Sequence, residues 1–532
     1  MFLDRDDISS RILQGQHILI YNRHVLRVPS SWLSAHPGGD LAILHFVGRD
    51  ATNEIDAFHA DVDLIRRFSI GQLEGDQPWQ ALLPPIAAGW SQKDDQWLSS
   101  ASKFHPDSTQ VLLVAKDSPA IGIAPTLDAI TPPPATLSLQ VQHQHAEAYK
   151  RLHKRITDAG LYRTPYLSGY GPEFLRYISL AAISVYAFQT GWIVISAVTL
   201  GLLWHQLMFF AHDLGHMGVT HNWNYDRLIS IFIADFIGGL SIGWWVDNHN
   251  IHHLVTNHPS HDPDIEYLPF FAISPKFFSG LYSSYYQRIF PFDTASRLLI
   301  SIQHKLFYII MLFARFNLYR LSYESLFKKA FGPKRSKGGS WAWRLEIIGI
   351  LSFWGWFGGI VLRNCGSWQK GLLYMVVSHV TTSPIHVQLV LSHFSMSTVD
   401  LGPMESFPDR QLRTTSDVIC PESLEFLHGG LHLQVTHHLF PRLPRHNLRK
   451  ASIMVKEFSK EEGLTYAEYG FVKGNQEVIG VLREVAGMVK DFGQQVKLVA
   501  EVASVEAEEA VNKKIAQKEI SYNGNGVALE LS

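Results

Sequence analysis

The feature that most constrains this chain is a set of three short histidine clusters between residues 212 and 438, each spaced for one face of a helix. HDLGH puts His212 and His216 at i and i+4. HNIHH puts His249, His252 and His253 at i, i+3 and i+4, and QVTHH repeats that spacing with Gln434, His437 and His438. Residues three and four apart share a helical face, so each cluster can present its side chains to a single centre. The fold must therefore bring three remote segments together.

Count then restricts the chemistry. Two, three and two histidines make seven imidazoles, too many for one four-coordinate zinc and suited to two metal ions. Neutral imidazole binds iron, copper, zinc and nickel alike, so spacing indicates a metal without selecting it. Cys365 and Cys420 are the only cysteines, which leaves neither a disulfide framework nor a thiolate site. With 46 Lys and Arg against 48 Asp and Glu and no basic stripe, no nucleic-acid partner is expected.

Hydropathy divides the chain. Residues 1–170 and 395–532 read as soluble, whereas 174–393 carry long apolar runs, the pattern of a membrane protein with soluble ends. Runs at 174–190 and 192–211 are separated only by Gln189, Thr190 and Gly191, which implies a helical hairpin. A second pair covers 345–362 and 371–392. Lys328, Lys329, Lys334, Arg335 and Lys337 precede it and place that side in the cytosol, giving four spans with all three clusters on the cytosolic face. The stretch 228–245 lies between two clusters that must share a face and is expected not to cross. The stretch 297–317 carries too many polar groups for a lipid-exposed span and reads as an interfacial helix. MFLDRDDISS lacks the basic and apolar regions of a secretory signal, so the N-terminus is expected to stay cytosolic.

A second site precedes the membrane segments. In HPGGD, Pro37, Gly38 and Gly39 force a tight turn beside His36, and His59 follows in GRDATNEIDAFHADVD. Two histidines across an apolar slot can occupy both axial positions of a haem iron, with Leu41, Phe46, Leu64 and Phe68 as walls. His45 is expected at the surface. Residues 79–137, rich in Pro, Ser, Ala and Asp, read as a linker that lets this unit swing, and 481–532 as a charged, fraying tail. The helical segment from about 138 carries His143, His145 and His153, expected to be solvated.

HPGG, GRDAT, the second histidine and FSIGQLEG together resemble the cytochrome b5 domain, over residues 1–78. HDLGH, HNIHH and QVTHH, in that order after such a domain, resemble the three boxes of membrane fatty-acyl desaturases, here over 138–480. Glutamine opening the third box resembles the front-end subgroup, and the flanking strings are similar to fungal sphingolipid 8-desaturases. The resemblance implies a multi-domain chain: a small α+β haem domain, then an all-α membrane domain with four transmembrane helices and a cytosolic di-metal cap. It implies one haem b on His36 and His59. It also implies two non-haem iron ions held by His212, His216, His249, His252, His253, His437 and His438, with Gln434 at the variant position.

A further family ligand near the end of the fourth span would be His393. His379, His386 and His393 recur every seven residues down one helical face. His379 and His386 are expected to bond between helices. Asp213, inside the first box, has the best claim to orient an imidazole, ahead of Asp262 and Asp264. O2 as co-substrate, a ceramide or glycosylceramide long-chain base, an NADH-dependent cytochrome b5 reductase and the endoplasmic reticulum membrane, with both termini cytosolic, follow from the same likeness. The alternatives are a front-end acyl-lipid desaturase and a haem-fused lipid hydroxylase. From other classes come a membrane-anchored electron carrier and a metal transporter, against which clusters outside the bilayer midplane argue.

Overall fold

The structure is a computed structural model that describes residues 1–93, 96–100, 123–134, 136–332 and 339–491. The tail beyond 491, the middle of the expected linker, and Lys334, Arg335 and Lys337 lie outside the described residues.

The N-terminal unit is built on β1 (Phe2–Leu3), β2 (His17–Tyr21), β3 (His24–Val28) and β4 (Ser69–Leu73), in the order β1-β4-β3-β2. β1 runs parallel to β4, and the other pairs are antiparallel. Every residue of β2 is buried, because both faces of the sheet are covered. Alternation sends Ile18 and Ile20 into one apolar cluster and Leu19 into another. Helix α1 (Thr52–Phe58) ends immediately before His59.

Two parts of the expected linker belong to this unit instead. Leu82 and Ile130 are fully buried in its core, and Trp79 Nε1 donates to the Gly48 carbonyl at 3.0 Å. Isolated apolar residues carry this packing, and they have no period to reveal them in sequence. Nor does the unit stand away from the rest: Leu254 of the second box helix is buried in the cluster with Leu19, Ile43 and Phe46. His45 is likewise 3 % exposed, not a surface group, with its ring 4.7 Å from that of His261.

Helix α2 (Leu139–Asp158) buries Ala148, Tyr149, Leu152 and Ile156, one stripe at helical spacing, against the C-terminal cap. His145, expected in solvent, is buried on the same side with Nδ1 2.8 Å from Asp409 Oδ1. The membrane region follows as α3 (Gly171–Gln189) and α4 (Ile193–Gly215), an antiparallel pair closed at Gly191, whose φ of +84° suits glycine. At about 1.5 Å per residue, the 23 residues of α4 extend about 35 Å, enough for a hydrocarbon layer of about 30 Å.

The segment Trp223–Ile237 and α5 (Ile242–Leu254) meet at 113°, so 228–245 does not form one straight span. After α6 (Gln303–Leu312) and α7 (Ala314–Phe331) comes a second long apolar helix, Gly339–Asn364, which begins as α8 (Gly339–Trp356). By length and hydropathy, two helices among the described residues can cross a membrane, or up to four if each bent pair is one span.

The run 371–392 departs from expectation. It is α9 (Trp368–Val380) and α10 (Pro384–Leu391), interrupted at Thr381, Thr382 and Ser383, where Pro384 opens a new helix instead of extending the old one. The three heptad-spaced histidines consequently meet three environments. His379 bonds the Tyr319 hydroxyl at 3.1 Å, as an interhelical contact would; His386 lines a cavity; His393 joins the box histidines. Both cysteines are free.

Small residues allow close packing in this region. A Cβ on Gly201 of α4 would fall 2.4 Å from the Ser378 carbonyl oxygen of α9, a backbone atom that cannot yield. Gly201→Val should therefore separate α4 from α9 and destabilise the protein by about 1–3 kcal/mol. Thermal unfolding in detergent, compared with a Gly355→Val control on the open face of α8, measures it.

Candidate metal centre

The box histidines sit at helix ends that polar side chains fix. Ser241 caps α5 by accepting from the Trp244 N–H at 3.0 Å, and its hydroxyl donates to Glu346 Oε2 of α8 at 2.5 Å. Glu346 also accepts from the Gly243 N–H, so a carboxylate on the long apolar helix anchors the start of the second box. The third box lies on α11 (Gln434–Leu439), six residues that would not hold as an isolated helix. Asp417 accepts from the Val435 N–H at 2.9 Å and from the Tyr466 hydroxyl, and Tyr149 of α2 donates to the Leu439 carbonyl at 2.6 Å.

The structure brings all three boxes and His393 together. His212, His216, His249 and His437 form one group whose nitrogens lie within 4.8 Å of one another, and His252, His393 and His438 form a second. His253 stands between them. Its Nε2 is 3.1 Å from both His249 Nε2 and His437 Nε2, and its ring stacks on His438 with centroids 4.1 Å apart. All of these except half-buried His249 are at most 8 % exposed.

These residues fit metal ions on two counts. In the second group every Nδ1 is engaged: His252 with Asp262 at 2.9 Å, His438 with Gln411 Oε1 at 3.0 Å and His393 with the Thr414 carbonyl at 3.4 Å. Each Nδ1–H donates outward, which leaves each Nε2 lone pair facing inward. Between the groups, His253 Nε2 lies 3.1 Å from His249 Nε2 and His437 Nε2, the spacing of neighbouring nitrogens on a metal with bonds of about 2.1 Å. Buried His212 Nδ1 and Nε2, His216 Nε2 and His438 Nε2 have no hydrogen-bond partner among the described residues, a cost that a bound cation would offset. Burial, and then neighbouring imidazoles, hold His437 and His438 well below the ordinary histidine range, so both present lone pairs.

Asp213 does not have the role expected of it. Its carboxylate lies 3.6 Å from His212 Nδ1 and accepts instead from the Tyr170 hydroxyl at 2.7 Å and Arg445 Nη1 at 3.1 Å. Arg445 also pairs with Glu173 of α3, so this ion-pair set ties the end of α4 to its neighbours. Orientation of the imidazoles falls to Asp262 and Gln411. The sequence offered Asp262 only as a lesser candidate and gave no signal for Gln411.

A cavity of about 500 Å³ runs from this centre between α4, α5, α7 and α10. Its lining is mainly apolar, including Trp204, Leu207, Ile385 and Leu389, and it touches His212, His249, His252 and His393. Gln434, 3 % exposed, lines it too. Phe270, Ile309 and Phe313 of its lining are 49 %, 55 % and 45 % exposed.

In the N-terminal unit, His36 and His59 face each other with ring centroids 6.2 Å apart. Two metal–nitrogen bonds of about 2 Å, plus about 1.2 Å from each nitrogen to its ring centre, give about 6.4 Å. His36 Nδ1 bonds the Gly39 carbonyl at 2.8 Å and His59 Nδ1 the Ile55 carbonyl at 3.1 Å, so Nε2 is the nitrogen each ring would turn to a haem iron. Burial, then the neighbouring His36, lowers His59 to about 4 and keeps it neutral. A Cβ on Gly38 would come within 2.9 Å of the His36 ring, so the turn needs glycine there. Of the expected walls, Phe46 is buried, whereas Leu64 is half exposed.

A haem-type domain seated on a histidine-lined cap above apolar helices defines the class, a haem-fused membrane oxidoreductase. Residues 190–470 match the fatty acid desaturase family and residues 4–74 the cytochrome b5-like haem/steroid binding domain. The chain belongs to the fatty acid desaturase family and is an oxygen-dependent desaturase. It is 44 % identical to a Delta 8-(E)-sphingolipid desaturase of Emericella nidulans, over 92 % of this chain and 95 % of that one. It is 40 % identical to a protein of the same name from Candida albicans, over 92 % and 96 %. Arabidopsis thaliana Delta(8)-fatty-acid desaturase 1 is 30 % identical, over 93 % and 95 %.

Asp262→Asn keeps the shape of the side chain but weakens its hold on His252. Metal affinity should fall by about 10- to 100-fold, read as metal per chain by mass spectrometry after dialysis against a chelator series.

Proposed function

We propose that this chain is a sphingolipid delta-8 desaturase that places a double bond at carbon 8 of the long-chain base of a ceramide or glycosylceramide. The observation that carries the reading is the apolar cavity running up to both histidine groups, which suits an unactivated alkyl chain and little else. Relatives of that name, similar over nearly their whole length, support the substrate class.

Removing two hydrogens from adjacent methylenes is beyond any acid or base side chain at neutral pH. Two iron ions supply the oxygen chemistry when bound, and one haem b supplies electrons singly. His212, His216, His249, His252, His253, His393, His437 and His438 would hold the iron, with Gln434 beside them at the cavity wall. His36 and His59 would hold the haem.

The chain's own work is positional. Asp262 and Gln411 aim imidazoles, Glu346 and Asp417 hold the box helices, and the lining residues exclude water and fix which methylenes lie nearest the histidines.

An NADH-dependent cytochrome b5 reductase is the electron donor in this reading, and the endoplasmic reticulum membrane the location. Four spans would leave both termini cytosolic. The α3–α4 hairpin, the long helix Gly339–Asn364 and the return through α9 and α10 support that count.

Expression in a host that lacks delta-8 bases, followed by lipid analysis, tests the assignment. Wild type should yield the delta-8 base. His253→Ala should yield none while keeping the haem spectrum, and His36→Ala should lose that spectrum. Product retained in His253→Ala would overturn the reading.

A further inference from the structure

The haem domain lies against the metal centre, and the Phe58 side chain makes a direct ring contact between the two. Phe58, the last residue of α1, is bonded directly to His59, and its ring meets the His253 ring edge-on at 6.1 Å between centroids and 83° between planes. His253 is wholly buried and is the histidine that touches both metal groups, through Nε2 on one side and a stacked His438 on the other. His59, the residue after Phe58, faces His36.

We infer that Phe58 is the contact through which an electron passes from a haem held by His59 to a metal centre held by His253. The inference rests on the proposed function and adds to it a route and a residue. In each transfer one electron leaves ferrous haem, which becomes ferric, and reduces one ferric ion of the centre to ferrous. No bond is made or broken. The external reductase restores the haem.

Tunnelling falls steeply with distance, and faster across empty space than through bonded or packed atoms. The Phe58 ring removes such a gap by packing in the contact between the domains, beside the apolar groups of α2 and of the sheet. That contact is held in place. Leu254 is buried among Ile43 and Phe46, Asn53 Nδ2 donates to the Ala146 carbonyl of α2 at 3.3 Å, and the His45 ring lies on His261. His45 itself does not offer an equal route, because His261 is outside both metal groups. Phe58 is a positioning residue here, since it neither binds haem nor ligates metal.

The test uses the full chain loaded with haem and iron in detergent. Haem is reduced by NADH and a cytochrome b5 reductase, then mixed with air-saturated buffer containing ceramide, and reoxidation is followed in the haem absorption band. Phe58→Ala should slow reoxidation by about tenfold or more, because a gap opens in the path. Its haem spectrum, midpoint potential, iron content and rate of reduction by the reductase should equal those of wild type. Phe58→Tyr and Phe58→Trp should restore the rate. If Phe58→Ala loses haem, Phe58→Leu replaces it, with a slowed rate expected.

A wild-type rate in Phe58→Ala or Phe58→Leu overturns the inference. Iron-depleted wild type separates the two levels of the argument. If iron removal slows haem reoxidation but the Phe58 variants do not, the proposed function stands and the route through Phe58 falls. If iron removal changes nothing, both fall.

Discussion

Everything in this structure depends on burying eight imidazoles so that their ring nitrogens converge. Nitrogens 3.1 Å apart with no donor between them are costly in a dry interior, and helix packing alone would let them turn aside. They are held by groups that are themselves tightly placed: Asp262 and Gln411 on the rings, Glu346 and Asp417 on the helix starts, Arg445 on the end of α4. Several of these are buried carboxylates, tolerable only because each accepts more than one hydrogen bond. The short helix α11 shows the dependence most clearly, because its six residues persist only between Asp417 and Tyr149.

The division of labour between segments follows. Long apolar helices supply rigid supports and the cavity, α4 carries His212 at its end, and the shorter segments beyond carry most of the other clustered histidines and their braces. The second box reaches the centre on α5, which meets the segment before it at 113°. The same helix, α5, presents Leu254 to the haem domain, so one element serves both sites.

The gathering of the box histidines was legible because spacing at i, i+3 and i+4 maps directly onto a helical face, and the facing of His36 and His59 because HPGG and its glycines mark the turn. His393 followed from the family likeness. The braces were much less legible. Gln411 is remote in sequence from His253 and His438 and belongs to no motif, and Asp213 drew attention by standing inside a box although its partners are Tyr170 and Arg445. The heptad stripe of His379, His386 and His393 suggested one continuous helix, but Pro384 restarts the chain and gives each histidine separate surroundings. Docking of the haem domain had no sequence signal, since Leu254, Ile43 and Phe46 look like ordinary core residues.

The cavity's edge at Phe270, Ile309 and Phe313 has a consequence for how substrate is counted. If substrate enters past these exposed apolar side chains from a lipid phase, entry is a partition between two apolar environments and gains little from the hydrophobic effect. The concentration that matters is then the mole fraction of the lipid in the surrounding bilayer or micelle. Dilution with inert detergent should act as a competitor even when the amount of substrate in the tube is unchanged.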